Sequence, residues 1–335
     1  MKKKILITGG SGFIGTNIID LFIDKGYDFI NFDKAPPLKK SHRSFWHKGN
    51  ILNLDELDVF FNEYEPTIVI HLAAKTDTVG LSIDYYIENT KGTDNLLRII
   101  QKKSSVERVV ITSTQYVFFP ESYNFPKSDT DYNTHTIYGD SKVITEELTR
   151  SSNLNCAWTI IRPTNVWGPW HIRYSNELLK YIKSGKYVHP GFNKVEKSYA
   201  YVKSVTHQIE SIINADISII DRATFYVGDY PKDSYEWANE FSIQMRNNKI
   251  HRIPRIILKL LAIVGDFFKL IGINFPLDSK RYNNMITQYL APMKKTIDLF
   301  GTNPESFEEN IKETIDWLKN EGSSFSSTKY NKDIN

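Results

Sequence analysis

Apolar residues fall in two rhythms along the first half of the chain. Short, nearly continuous apolar runs at Lys4–Thr8, Phe29–Phe32, Thr67–His71, Arg108–Ser113 and Ala157–Arg162 read as strands buried on both faces. Between them the spacing turns helical. In Phe13–Lys25, residues Ile14, Ile18, Leu21 and Phe22 share one face, and Gly26 stops the helix. Tyr85–Lys103 reads as a longer amphipathic helix. Strands alternating with helices predict βαβ units and an α/β, doubly wound parallel sheet. After Gly168-Pro169 the pattern loosens. Residues 1–168 plus about 196–229 are expected to form the sheet domain. About 169–195 plus 230–320 are expected to form a smaller, mostly helical C-terminal lobe, with 321–335 a flexible tail.

The richest apolar stretch, Ile256–Ile271, is interrupted by Lys259, Asp266 and Lys269, so no membrane span is expected. The apolar face of Arg255–Ile271 is expected to cover the core of the lobe. Lys2, Lys3 and Lys4 are followed by only Ile5, Leu6 and Ile7, too short an apolar run for a secretory leader.

Composition narrows the choice. The 335 residues are 41% hydrophobic and 24% charged, which excludes fibrous, coiled-coil and largely disordered chains. A formal net charge of +3 gives no reason to expect nucleic acid. The one cysteine, Cys156, excludes an intramolecular disulfide and fits a reducing, cytoplasmic setting. The eight histidines show no ligand spacing; His42 and His47 read as loop residues, and no metal is expected.

The first candidate chemistry lies between the first strand and the first helix. In Thr8-Gly9-Gly10-Ser11-Gly12-Phe13-Ile14-Gly15 the glycines Gly9, Gly12 and Gly15 recur every third residue. Such a turn lets a pyrophosphate approach the backbone N–H groups of a helix N-terminus and lets helix and strand pack closely, as in Rossmann-type folds. Asp33 ends the second strand, where a carboxylate accepts hydrogen bonds from an adenosine ribose and repels a 2′-phosphate; NAD is therefore expected over NADP. A second candidate is Tyr138-Gly139-Asp140-Ser141-Lys142, which sets Tyr138 and Lys142 on one helix face. Bringing a tyrosine from its ordinary pKa to about 7 takes about 4 kcal/mol, which a lysine, a cationic ring and desolvation can supply jointly.

Together these motifs resemble the extended short-chain dehydrogenases/reductases, specifically the NAD-dependent nucleotide-sugar epimerase/dehydratase family, over residues 1 to about 320. Asn50-Ile51 stands where that family has an Asp and an apolar residue beside adenine. His71-Leu72-Ala73-Ala74 resembles the strand end lining the cofactor. Asn89 resembles the bracing asparagine, Thr112-Ser113-Thr114 the strand ending in the catalytic hydroxyl, and Arg162-Pro163-Thr164-Asn165 the strand closing the nicotinamide pocket. Tyr226-Val227-Gly228-Asp229 resembles the last sheet strand.

The resemblance implies an NAD site built from Gly9, Gly12, Phe13, Ile14, Gly15, Asp33, Lys34, Asn50, Ile51, Leu72, Ala73, Ala74, Asn89, Thr112, Tyr138, Lys142, Pro163 and Thr164. It gives Tyr138 the general acid/base role, Lys142 the nicotinamide ribose and the tyrosine pKa, and Thr114 the reacting oxygen. Thr76, Thr114, Asn165, Lys197 and Arg281 would meet a nucleotide-diphosphate sugar. The expected activity is epimerisation or keto reduction in surface polysaccharide biosynthesis. Gln115 and Tyr116 stand where the 4,6-dehydratases carry Asp and Glu, which argues against water elimination. The alternatives are a sterol- or steroid-type dehydrogenase and a non-catalytic NAD-binding regulator. The resemblance also implies a homodimer through 85–103 and 138–152, with Leu96, Leu97, Ile99, Ile100, Val143, Ile144 and Leu148 as the surplus apolar residues.

Overall fold

The computed structural model describes residues 3–119, 125–273 and 275–322. Most of the expected tail, 323–335, lies outside them. Two units are present. The first comprises Met1–Val166, Ala200–Tyr230 and Ala291–Pro304; the second comprises Trp167–Tyr199, Pro231–Leu290 and the chain from Glu305 onward.

The first unit is built on β1 (Lys4–Thr8), β2 (Asp28–Asp33), β3 (Trp46–Lys48), β4 (Ile68–His71), β5 (Arg108–Thr112), β6 (Ala157–Pro163) and an edge strand, Ala223–Val227. Among the described residues these form one seven-stranded sheet, ordered edge strand–β6–β5–β4–β1–β2–β3. Every pairing in it is parallel, with Ile5 beside Phe29 on one side and Ile68 on the other. Alternate strand residues feed two different cores. Ile5, Ile7, Ile68, Ile70 and Val110 face α1 (Phe13–Asp24) and the helix Val202–Asn214, through Ile18, Phe22, Val205 and Ile209. Leu6, Val69, Val109 and Ile111 face α2 (Leu54–Tyr64) and α3 (Thr93–Ile100), through Leu57, Phe60, Leu96 and Ile99. Period-two alternation with apolar residues on both faces explains why these strands read as continuous apolar runs.

The structure amends four local expectations. The single helix expected over 85–103 is three pieces: a 3₁₀ turn at Ile83–Tyr86, a π-helical turn at Glu88–Gly92, and α3. Leu96, Leu97, Ile99 and Ile100 are buried in their own subunit's core, so they are not surplus; Val143 and Ile144 remain partly exposed. His42 is buried in a 3₁₀ turn, with Nε2 2.8 Å from Asp20 Oδ1, and His47 lies in β3.

The fourth amendment concerns the second unit, which carries the helices Ser234–Arg246, Arg255–Leu270, Ser279–Ile286 and Phe307–Asn320. Trp167, Trp237, Phe241 and Tyr199 form its aromatic core. The helix Arg255–Leu270 was expected to spend its apolar face on that unit's core. Only Leu258, Ala262 and Gly265 are buried, against Tyr282 and Leu277, and the broad remainder of the apolar surface is exposed. No helix among the described residues is long and apolar enough to cross a membrane.

Candidate active site

The candidate residues of the first unit gather at the carboxyl ends of the parallel strands, around the point between β1 and β4 where the chain reverses its direction of winding. In open α/β sheets that crevice is where ligands bind. The turn after β1 is tight. Gly9 has φ of +76°, and a Cβ there would stand 2.4 Å from the Ala73 backbone nitrogen. Gly15 lies against Gly10, where a Cβ would meet its Cα at 2.5 Å, so α1 seats directly on the turn. The N-terminus of α1 has Gly12 as its cap and no side-chain capping hydrogen bond, and helix N-termini favour anions. Phe13 and Ile14 are the first residues of that helix.

Asp33, at the end of β2, is fixed beside this turn. Its Oδ2 accepts from the Ser11 N–H at 3.0 Å and its Oδ1 from the Ala35 N–H at 2.9 Å. Burial raises its pKa, while the two backbone donors and Lys34 pull the other way. The Lys34 ammonium is engaged elsewhere, 2.7 Å from Glu88 Oε1. Asn50 spends its side chain on its own turn, Oδ1 accepting from the Leu52 N–H at 3.0 Å. The Ile51 carbonyl accepts from Asn95 Nδ2 at 3.0 Å.

The strand end at β4 is held by polar contacts. His71 is fully buried, with Nδ1 2.7 Å from Thr8 Oγ1 and Nε2 3.2 Å from Thr93 Oγ1. Thr93 Oγ1 donates to the Asn89 carbonyl, so it accepts from His71 Nε2–H, which leaves Nδ1 to accept from Thr8. Burial, aided by the nearby Lys142 charge, depresses the His71 pKa to about 3, so the ring is neutral. Leu72, Ala73 and Ala74 follow, the Leu72 N–H donating to the Thr8 carbonyl at 2.9 Å.

Asn89, on the π-helical turn, ties three segments together. Its Oδ1 accepts from the Lys75 N–H at 2.7 Å. Its Nδ2 donates to the Lys75 carbonyl at 3.0 Å and to Ser141 Oγ at 2.9 Å. Thr145 Oγ1 donates to the Asn89 carbonyl at 2.7 Å. Asn89 thereby positions α4 (Ile137–Ser151) against the loop that follows β4. The extra residue per turn of a π segment is what aims this side chain, and π turns concentrate at functional sites. Thr76 is exposed on the same loop.

α4 starts at Thr136, whose hydroxyl accepts from the Gly139 N–H at 3.0 Å. It carries Tyr138, Lys142 and Glu146 on one buried face at intervals of four. Burial pulls the Lys142 pKa from 10.5 down to about 8, outweighing the attraction of the Glu146 carboxylate. Glu146 itself is forked by Arg162 from β6, with Nε to Oε1 at 2.8 Å and Nη2 to Oε2 at 2.7 Å, both side chains without solvent exposure. The Tyr138 ring lies among aromatics, 5.9 Å from Tyr86 and 6.1 Å from Tyr116 between centroids. Thr114 is buried just beyond β5, its Oγ1 accepting from the Tyr116 N–H at 3.3 Å.

Two further hydroxyls lie at strand ends. Thr112 Oγ1 and Thr164 Oγ1 are buried without a hydrogen-bond partner. A buried polar atom left unpaired costs about 1–3 kcal/mol, so both hydroxyls are available to a ligand. Pro163 ends β6, and the Thr164 N–H donates to the Val227 carbonyl at 3.2 Å; Asn165 follows. The Cβ-less turn, the helix end without a side-chain cap, the Asp33 carboxylate at the end of β2 and these hydroxyls fit a dinucleotide.

Lys197 and Arg281 belong to the second unit. The buried Lys197 ammonium donates to the Asn284 carbonyl and to Asn284 Oδ1, and burial lowers its pKa to about 8. The exposed Arg281 guanidinium donates to the Pro276 carbonyl at 2.7 Å. Each cation is tied to its own neighbour. Among the described residues, no three His, Cys, Asp or Glu side chains cluster as a metal would require.

Sequence reasoning overlooked the supporting residues: Asn95, Ser141, Thr145 and the Arg162–Glu146 pair. For Asn95 the signal is a polar residue interrupting an apolar helix face, just before Leu96-Leu97.

Comparison with known proteins identifies the family. The profile of the "NAD dependent epimerase/dehydratase family" matches residues 5–191. The chain belongs to that family. It is 29% identical over 216 residues to the N-acetyl-alpha-D-glucosaminyl-diphospho-ditrans,octacis-undecaprenol 4-epimerase of Escherichia coli O157:H7, a match covering 63% of each protein. It is 24% identical over 350 residues to the sterol-4-alpha-carboxylate 3-dehydrogenase (decarboxylating) of Saccharomyces cerevisiae, covering 94% of this chain and 97% of that one. The crystal structure of UDP-glucose 4-epimerase from Thermotoga maritima superposes with a TM-score of 0.70 at 20% identity, over 94% of this chain and 98% of that one. That likeness is one of fold.

Proposed function

We propose that this chain is an NAD-dependent epimerase or ketoreductase acting on a nucleotide-diphosphate sugar, by hydride transfer at a sugar carbon, in surface polysaccharide biosynthesis. The observation that carries the reading is the buried Tyr138–Lys142 face of α4, clamped by Asn89. NAD, when bound, supplies the hydride acceptor. It would be held by the turn Gly9–Gly15, by Asp33 at the ribose, and by Thr112 and Thr164. Tyr138 takes the proton from the sugar hydroxyl as its carbon is oxidised, and returns it on reduction. Lys142 holds positive charge beside the tyrosine and favours its ionised form. Thr114 donates to the reacting oxygen. Thr76 and Asn165 orient the sugar and diphosphate.

The positions after Thr114 are the amide Gln115 and the phenol Tyr116. Neither is a carboxylic acid, so the chain lacks the pair that would eliminate water. The enzyme works in the cytoplasm as a homodimer, through helices that include the partly exposed Val143 and Ile144; light scattering that gives a monomer at micromolar concentration contradicts the dimer. The activity is tested by thermal shift with UDP- and dTDP-sugars in the presence of NAD, followed by product identification. An epimer formed with no net NADH absorbance, or a reduced sugar formed with stoichiometric NADH consumption, supports the reading. A 4-keto-6-deoxy product, or oxidation of a sterol with no response to any sugar nucleotide, overturns it.

A further inference from the structure

The helix Arg255–Leu270 divides its circumference into three sectors. One narrow sector, Leu258, Ala262 and Gly265, is buried, and Gly265 sits so close to the Leu277 carbonyl that a Cβ would stand 1.8 Å from it. A second sector carries Arg255, Lys259 and Asp266. The third spans about half of the circumference at 3.6 residues per turn and is apolar and exposed. Leu260 is 57% exposed and Phe267 61%, and the surface continues past the helix end through Leu270, Ile271 and Ile273. Ten of the large hydrophobic residues exposed among the described residues fall between 256 and 273. Isolated exposed apolar residues are ordinary, but a contiguous strip of this size marks an interaction surface.

Charge selects the occupant. Residues 249–281 contain seven Lys or Arg and two Asp or Glu, a net +5, whereas the whole chain carries +3 and the remainder is therefore −2. The positive excess is concentrated on the segment that bears the apolar strip. An apolar face flanked on one side by Arg255, Lys259 and Lys269 matches the interface of an anionic bilayer, where apolar side chains enter the headgroup boundary and lysines meet lipid phosphates. The same excess opposes a second copy of the chain, because a two-fold contact would set one net-positive segment against its twin.

We propose that the Arg255–Ile273 segment is a membrane-docking surface that lays this enzyme on an anionic lipid bilayer without spanning it. The proposal stands whether the substrate is a sugar nucleotide or another alcohol. The experiment is flotation of the full chain with vesicles of two parts phosphatidylcholine to one part phosphatidylglycerol, and with phosphatidylcholine alone. The wild-type protein is expected to float with the anionic vesicles and to be released by salt. The double variant Leu260→Glu/Phe267→Glu is expected to lose at least tenfold in bound fraction while keeping its NAD-induced thermal shift, since these side chains are exposed and support no core. Lys259→Glu is expected to weaken binding to anionic vesicles more than to neutral ones. Sedimentation velocity of both proteins without lipid completes the test: an unchanged oligomeric state supports the proposal. Wild-type protein left unbound by anionic vesicles overturns it. So does a folded double variant that floats as well as the wild type, or a wild-type assembly that the double variant dissociates, since the strip is then covered by a second copy.

Discussion

Lys142→Met tests whether a site residue is held against its own preference. Lys142 is 1% exposed, and burial moves its pKa from 10.5 to about 8. The gap between those values corresponds to about 3 kcal/mol working against the folded protein at neutral pH. The sign follows from proton counting. The unfolded lysine keeps its proton up to about 10.5, while the folded one sheds it above about 8. Between those values the unfolded chain binds more protons, so stability rises with pH through that window, and the full penalty applies below it. Methionine keeps the stem and removes the charge. The cofactor-free variant is therefore expected to be more stable than the wild type by up to about 3 kcal/mol near pH 7, with the difference shrinking toward zero near pH 10.5. Urea unfolding of both proteins across that range is the assay. The same variant should lose cofactor affinity and turnover. Equal or lower stability at pH 7, or a difference independent of pH, would refute the argument that desolvation dominates at this lysine.

Other perturbations follow from the same geometry. Tyr138→Phe keeps the ring among Tyr86 and Tyr116 and removes the hydroxyl; turnover should fall by ~10²-fold or more, with NAD affinity by calorimetry nearly unchanged, and Gln115→Ala should cost far less activity. Asp33→Ala should narrow the preference for NAD over NADP, and equal affinities in the unmutated protein would remove the ribose assignment. Arg162→Leu strands the buried Glu146 carboxylate and should cost about 3–5 kcal/mol in denaturant unfolding; a loss below about 1 kcal/mol would mean that the pair is not shielded from water.

The sheet was legible because its strands are buried on both faces: Ile5-Leu6-Ile7 must be apolar throughout when Leu6 serves one core and its neighbours the other. The glycine turn was legible because Gly9 and Gly15 answer steric demands that no other residue meets. β3 escaped notice because Trp46–Lys48 is an edge strand of three residues with no apolar run. The break before α3 escaped because a π turn preserves an amphipathic pattern while re-aiming Asn89. The Arg162–Glu146 pair was not legible: sixteen positions apart on a strand and a helix, only the fold shows that the two charges neutralise each other. Helix Arg255–Leu270 misled in the opposite sense, because apolar periodicity reports a face that avoids water without saying what covers it.

The strand order has a consequence for synthesis on the ribosome. β2 and β3 add outward on one side of β1, and β4, β5, β6 and Ala223–Val227 add in turn on the other, so each new strand docks on one already made. The last strand still waits, because Phe300 packs on Phe225 at 5.1 Å and Lys294–Phe300 arrives only after most of the second unit has been translated. A nascent chain stalled before residue 291 would therefore carry a complete sheet with the Phe225 face of its final strand uncovered. Neither unit can be excised as one continuous fragment, and a truncated gene product should aggregate through the apolar face left bare at Phe225 rather than persist as a free nucleotide-binding module.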